Sequence, residues 1–305
     1  MKLLTFAHLP RGSRVGFCLG EQMYDLQDSA AKFGLSLPAQ MVGLLALGRE
    51  GLATVRQVAE RVEKAGLPGQ PLAETRVLAP ILRPPKILAL AGNYAEHVRE
   101  SGWAMPEKAG VTPRLFLKPV TSVIGPGQAI VTPCLSKEVD YELELAAVIG
   151  AAGRYIDVDK ALDHVAGYMV FNDVSARSLT IAEGRTKREG DWFYDWLAGK
   201  WFDTFAAMGP YLVTSDEVGD PQKLAMRLKV NGETRQDATT GMMIFSVAEL
   251  IAFISQIVTL EPGDVIATGT PSGVGKARGI FLKAGDVVEG WIEKVGTLTN
   301  PVKGE

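Results

Sequence analysis

Histidine and cysteine are scarce in this chain, with three and two copies among 305 residues. That scarcity excludes zinc centres assembled from Cys and His clusters. Cys18 and Cys134 are too few for a disulfide framework, and free thiols fit a reducing cytoplasm. Charge of one sign is lacking too: 32 basic against 35 acidic side chains leave a net charge of −3. Nothing global therefore favours nucleic acid or an anionic membrane surface. Long hydrophobic runs are missing. The longest apolar helix candidate, around Leu250 to Leu260, is too short to span a bilayer and contains Gln256. The apolar start is cut short by His8, Pro10, Arg11 and Arg14 before a signal-peptide core forms. The expectation is a soluble cytoplasmic protein without membrane or nucleic-acid partners. The 33 glycines and 17 prolines are scattered at turn sites, which excludes collagen-like and disordered classes.

What is present divides at Leu82-Arg83-Pro84-Pro85, because paired prolines end periodic structure. Residues 1–80 read as a small N-terminal α/β accessory domain. Strands are expected at 3–7 and 14–26 around the turn Pro10-Arg11-Gly12-Ser13. A helix carries Leu52, Val55, Val58, Ala59 and Val62 on one face. Residues 81–305 read as the larger, strand-rich domain. Its strands are expected at 86–91, 114–118, 139–149 and 168–171, followed by a helical stretch from about Ala176. Asn231-Gly232 signals a two-residue hairpin. Ser246-Val247-Ala248-Glu249 is a capping box. Strict βαβ alternation is absent, so the fold class is α+β, mostly β, rather than a doubly wound sheet.

The sharpest local feature is Asp140-Tyr141-Glu142-Leu143-Glu144-Leu145. Residues two apart share a strand face, so Glu142 and Glu144 point the same way. From Leu145 onward both faces are apolar, the pattern of a strand covered on both sides. Two carboxylates there repel and lose solvation, and a divalent cation resolves both problems. A solvent-exposed acidic face is the alternative. Asp173, where an apolar strand ends, reads either as a helix N-cap or as a third oxygen ligand. An all-oxygen site with open positions selects Mg²⁺ or Mn²⁺. Of the histidines, His8 and His164 read as structural. His97 has Glu100 three residues on, placed to orient the imidazole and favour the protonated form that a general base takes on. Gly102, Pro106 and Gly110 after it suggest a mobile lid.

Five ordered motifs then carry a resemblance. They are Asn93-Tyr94-x-x-His97, Phe116-x-Lys118-Pro119, Asp140-Tyr141-Glu142-x-Glu144, Asn172-Asp173-x-Ser175-Ala176-Arg177 and Thr268-Gly269-Thr270-Pro271-x-Gly273-Val274-Gly275. Their order over about residues 84–302 resembles the fumarylacetoacetate hydrolase family. The resemblance implies a mixed β-sandwich roll, usually a homodimer, with Mg²⁺ or Mn²⁺ held at Glu142, Glu144 and Asp173. His97 matches the water-activating base, Glu100 its partner, and Lys200 the lysine that stabilises developing negative charge. Lys118, Arg177, Thr180 and Thr270 are expected at the substrate. Here the chain departs from the family pattern: a glutamine that often contacts substrate is replaced by Thr180. The segment 185–196, with four aromatic residues among charges, reads either as a pocket or subunit contact or as plain core.

The implied chemistry starts with a metal that chelates a 2-oxo acid and polarises its ketone. With a 2,4-dioxo acid, water deprotonated by His97 attacks C4, and C3–C4 cleavage leaves a pyruvate enolate held at the metal and Lys200. Hydrolysis of such an acid is the first expectation. Decarboxylation of an oxaloacetate-type acid and isomerisation of an unsaturated 2-oxo dioate reach the same enolate. A degenerate module that keeps its metal for structure alone is the non-enzyme alternative.

Overall fold

In the computed structural model the described residues are 1–9, 11–102, 104, 107–182 and 184–305. Pro10 of the first expected turn and Pro106 of the expected lid lie outside them. Strands dominate, and most belong to two sheets. A twelve-stranded mixed sheet runs, in order, through Gln70–Pro71, Gln22–Asp25, Gly12–Leu19, Lys2–His8, Ala206–Thr214, Val165–Asp173, Leu143–Ile149, Val265–Ala267, Ile87–Ala91 and Arg114–Lys118. Two short strands, Val77–Leu78 and Val123–Ile124, pair off that path. A five-stranded sheet of Glu233–Thr239, Ala225–Val230, Val287–Ile292, Gly296–Gly304 and Ile130–Thr132 packs across one face of it.

The strand alternation explains this layering. Leu143, Leu145 and Ala147 join Met226, Leu228, Val288 and Leu298 in the core between the sheets. Ala146 and Val148, on the opposite face, join Val55, Val58 and Val62 of the helix Gly48–Lys64. All seven residues of Leu143–Ile149 are buried, as a strand covered on both sides must be. The first eighty residues are stitched into the same sheet, through Lys2 opposite Val213 and Leu3 opposite Leu212. The capping box at Ser246 and Glu249 is formed, with both reciprocal bonds. Asn231 and Gly232 take positive φ in the hairpin between Ala225–Val230 and Glu233–Thr239.

Three expectations change. The strand expected at 14–26 breaks at Gly20, whose φ of 58° makes a second hairpin turn. The long strand expected at 139–149 is two strands, Val139–Asp140 and Leu143–Ile149. Side chains take the amides in between: Tyr141 N–H donates to Asp140, Glu142 N–H to Asn172 and Leu143 N–H to Gln236. No helix starts at Ala176. Ser175–Ala176 pairs with Val139–Asp140, while Ala176 and Arg177 N–H donate to the carbonyls of Gly199 and Glu138. The helix begins instead at Asp191 and runs to Ala198. It overturns the plain-core reading for Trp192, Phe193 and Tyr194, which are 67%, 43% and 65% exposed, while Trp196 packs against the core.

Candidate metal centre

Glu142 and Glu144 sit at the mouth of Leu143–Ile149, and Asp173 ends the neighbouring antiparallel strand. Asp173 N–H donates to the Glu142 carbonyl, so the cross-strand register brings the third carboxylate beside the first. The Asp173 N-cap reading fails because no helix follows it. Ligand oxygens of the three lie within 4.8 Å of one another, and all three side chains are buried. The exposed-face alternative for Glu142 and Glu144 is thereby overturned.

Three cations answer this charge. Lys200 Nζ donates to Glu142 Oε2 at 2.8 Å and to Asp173 Oδ2 at 2.6 Å. Lys118 Nζ donates to Asp173 Oδ1 and to the carbonyls of Lys200 (2.7 Å) and Val174 (3.3 Å). Arg177 pairs through Nη2 with Glu142 at 2.5 Å and donates from Nε to Asp140 Oδ2 at 2.8 Å. Lys118 and Arg177 thus each engage a carboxylate of the cluster directly. Lys200 also lies 5.1 Å from the Phe116 ring centroid, and Phe116 meets Trp196 edge-on at 5.1 Å. The inner side of the aromatic helix therefore supports this lysine.

The carboxylates are not equivalent. Burial works against the charge of Glu142, but Lys200, Arg177 and His97 overcome it and hold its carboxyl well below the usual range. Glu144 goes the other way. Burial, then the charges of Asp173 and Glu142, push it well above the usual range against Lys200 and the Gly269 amide. Its Oε2 accepts from Gly269 N–H at 2.7 Å, while its buried Oε1 has no partner among the described residues. An orphaned buried carboxylate oxygen beside two further oxygen donors suits a hard divalent cation, so these residues fit Mg²⁺ or Mn²⁺.

His97 and Glu100 share the helix Ala95–Glu100, with Nδ1 and Oε1 2.8 Å apart. Glu100 Oε2 accepts from Gly273 N–H at 2.8 Å, which fastens the pair to the glycine-rich loop. Glycine is required there, since a Cβ on Gly273 would lie 2.2 Å from the Arg235 carbonyl oxygen. Thr270, in the same loop, is buried and accepts from Gln236 Nε2. Thr180 is different. Its side chain is exposed and shares no hydrogen bond with the cluster among the described residues, while its amide donates to Leu135. His164 bonds the Ala151 carbonyl, and His8 lies edge-on to Phe6.

Sequence reasoning gave no role to Asp140 or Gln236. Asp140 is fully buried and accepts from Tyr141, Gly275 and Lys276 N–H and from Arg177. Its place in the Asp-Tyr-Glu motif was the available signal. Gln236 is the single buried position of Glu233–Thr239, a strand whose composition reads as solvent-facing. No local pattern reveals it.

The model of the family described as "Fumarylacetoacetate (FAA) hydrolase C-terminal" matches residues 86–303. The chain is 44% identical over 272 residues to oxaloacetate tautomerase FAHD2A, mitochondrial, of Bos taurus, covering 88% of this chain and 82% of that one. A maleylpyruvate hydrolase from Sphingobium sp. SYK-6, in complex with manganese(II) ion and pyruvate, superposes with a TM-score of 0.77 at 31% identity, covering 100% and 99% of the two chains. A 2-hydroxyhepta-2,4-diene-1,7-dioate isomerase from Mycobacterium marinum gives 0.70 at 32%, covering 100% and 99%.

Proposed function

The chain belongs to the fumarylacetoacetate hydrolase family, and from that membership we propose that it is a metal-dependent enzyme acting on a 2-oxo acid through its enolate. The observation that carries this reading is the buried Glu142, Glu144, Asp173 triad with Lys200 bonded to two of its members. Mg²⁺ or Mn²⁺ held there would supply Lewis-acid polarisation of the 2-oxo group. Everything else falls to the chain's own residues. Lys200 offers a fixed positive charge where negative charge develops on the substrate oxygen. With Nδ1–H donated to Glu100, His97 keeps Nε2 free to take a proton. Thr270 contributes a hydroxyl toward the substrate carboxylate. Lys118 and Arg177 hold the carboxylates in place.

We place hydrolysis of a 2,4-dioxo acid first, because a glutamate-oriented histidine suits water activation. Water then adds to C4, C3–C4 breaks, and the products are a pyruvate-type acid and a carboxylic acid. The second reading, keto–enol conversion of an oxaloacetate-type acid, is favoured by the 44% identity to an oxaloacetate tautomerase. It needs only movement of a proton between C3 and oxygen. Two unpaired cysteines suit a reducing cytoplasm, and a homodimer is part of the proposal, testable by sedimentation.

The test is one panel of acylpyruvates, fumarylpyruvate and oxaloacetate, assayed with Mg²⁺ and Mn²⁺ and with His97→Ala as control. Dioxo-acid cleavage lost in that variant is the expected result. Rapid oxaloacetate enol–keto conversion with no dioxo acid cleaved would replace hydrolysis by the second reading. Turnover untouched by a chelator would overturn both.

A further inference from the structure

Gln236 crosses from the five-stranded sheet to the large one and joins two parts of the candidate centre. Its Oε1 accepts from Leu143 N–H at 3.0 Å, between Glu142 and Glu144 in sequence. Its Nε2 donates to the Pro271 carbonyl at 2.9 Å and to Thr270 Oγ1 at 2.8 Å. The amide orientation follows from its partners. A backbone N–H can only donate and a backbone carbonyl can only accept, so a flipped amide would lose both bonds. All three bonds are buried, and Gln236 is 1% exposed.

That orientation has a consequence for Thr270. A hydroxyl holds one hydrogen and accepts through its lone pairs. Facing an N–H donor, Thr270 Oγ1 is fixed as acceptor on that side, and its own hydrogen must point elsewhere. Among the described residues no acceptor takes that hydrogen. The preceding residue, Gly269, already places its amide on Glu144. We propose that Gln236 is a positioning residue that sets the polarity of Thr270, so that the hydroxyl is presented as a donor to a substrate carboxylate. This rests on the reading of Thr270 as a substrate contact. It leaves the loop a hydroxyl hydrogen that the protein does not claim, and such a donor bonds an anionic oxygen more strongly than a neutral one. The site would therefore favour the carboxylate of a 2-oxo acid over its amide.

The probe is pyruvate, titrated into the Mn²⁺-loaded protein by calorimetry, with Mn²⁺ affinity measured separately by electron paramagnetic resonance. Thr270→Val removes the donor and keeps the shape. Gln236→Met removes the orienting amide without adding charge, and Gln236→Glu keeps the Leu143 acceptor but draws the Thr270 hydrogen to itself. Each variant is expected to weaken pyruvate binding roughly tenfold to a hundredfold, the loss of one hydrogen bond to a charged group. Mn²⁺ affinity should stay within about twofold, and Gln236→Met should add nothing in the Thr270→Val background. If Thr270→Val leaves pyruvate affinity unchanged, the substrate-contact reading fails. If Thr270→Val weakens pyruvate but neither Gln236 variant does, or the two effects add, only the positioning role fails. A Gln236→Met variant that loses Mn²⁺ affinity in parallel with pyruvate shows a merely structural glutamine. Should Gln236→Met not fold, Gln236→Glu carries the same comparison.

Discussion

Among the described residues two clusters bring three potential ligands within 4.8 Å: Glu142, Glu144 and Asp173, and, near the N-terminus, His8, Asp25 and Asp28. Distance does not separate them, but charge and burial do. At the N-terminal cluster Arg14 Nη2 sits between the acids, 2.7 Å from Asp25 and 2.9 Å from Asp28, and Arg11 adds a second cation to Asp28. Two carboxylates already face two guanidinium groups, and the Asp28 side chain is 54% exposed. In the deep cluster no cation bonds Glu144 among the described residues, and its Oε1 has no partner at all. An unpartnered buried acceptor alone does not mark a metal site, since Asp25 Oδ2 and His8 Nδ1 lack partners too; the deep cluster differs in having a carboxylate that no cation bonds, in a place water cannot reach.

The largest test of that contrast is metal binding itself. Glu142→Ala should lower Mn²⁺ affinity by more than about a hundredfold, beyond what loss of an outer-shell partner costs, and abolish metal-dependent turnover. Asp25→Asn should leave both unchanged. Comparable losses from the two variants, read by metal titration of folded protein, would erase the distinction.

Stability gives the next comparison. Arg177→Met strips a 9% exposed cation from the fully buried Asp140 and the buried Glu142, so unfolding free energy should fall by about 3–5 kcal/mol. Arg14→Met removes an equally buried cation, but water reaches Asp28, and about 1–3 kcal/mol is expected. Urea unfolding in chelator measures both, and equal losses would show that partner exposure does not govern the cost.

How much of this was legible in sequence follows from the range of each interaction. Glu142 and Glu144 declared themselves because period-two alternation is local, and Asp173 because its motif names a strand end. The break at Tyr141-Glu142 was invisible, since the amides of Glu142 and Leu143 are satisfied by Asn172 and Gln236, 30 and 93 residues away from their partners. The helix expected at Ala176 failed for the same reason: pairing with Val139–Asp140 and bonds to Glu138 and Gly199 override local preference. The aromatic run at 192–196 is ambiguous in sequence, because exposure depends on what the rest of the chain leaves uncovered. Its Trp196 turns to Phe116 while Trp192 and Tyr194 face outward.

The smaller predictions concern pH, where Glu144 of one cluster and Asp28 of the other should act in opposite directions. Glu144 has a raised folded value, so above its ordinary value of 4.5 the native state retains a proton that the unfolded chain has released. In chelator, the wild-type protein should therefore lose stability as pH rises above that value, and Glu144→Gln should flatten the slope. Asp28 is lowered: burial is the largest single influence and opposes its charge, but Arg14 and Arg11 together outweigh it. Its contribution is present above the ordinary value of 3.8 and is lost as pH falls through the folded value. Because the Arg11–Asp28 pair is more than half exposed on both sides, Arg11→Ala should cost less than about 1 kcal/mol and only above that acid range. Salt should screen that small effect but leave the Glu144 slope nearly unchanged, since a buried group interacts with its neighbours largely out of reach of mobile ions. Urea midpoints from pH 3 to 8 at low and high salt test this directly: a Glu144 slope that vanishes in salt would mean that solvent reaches the triad.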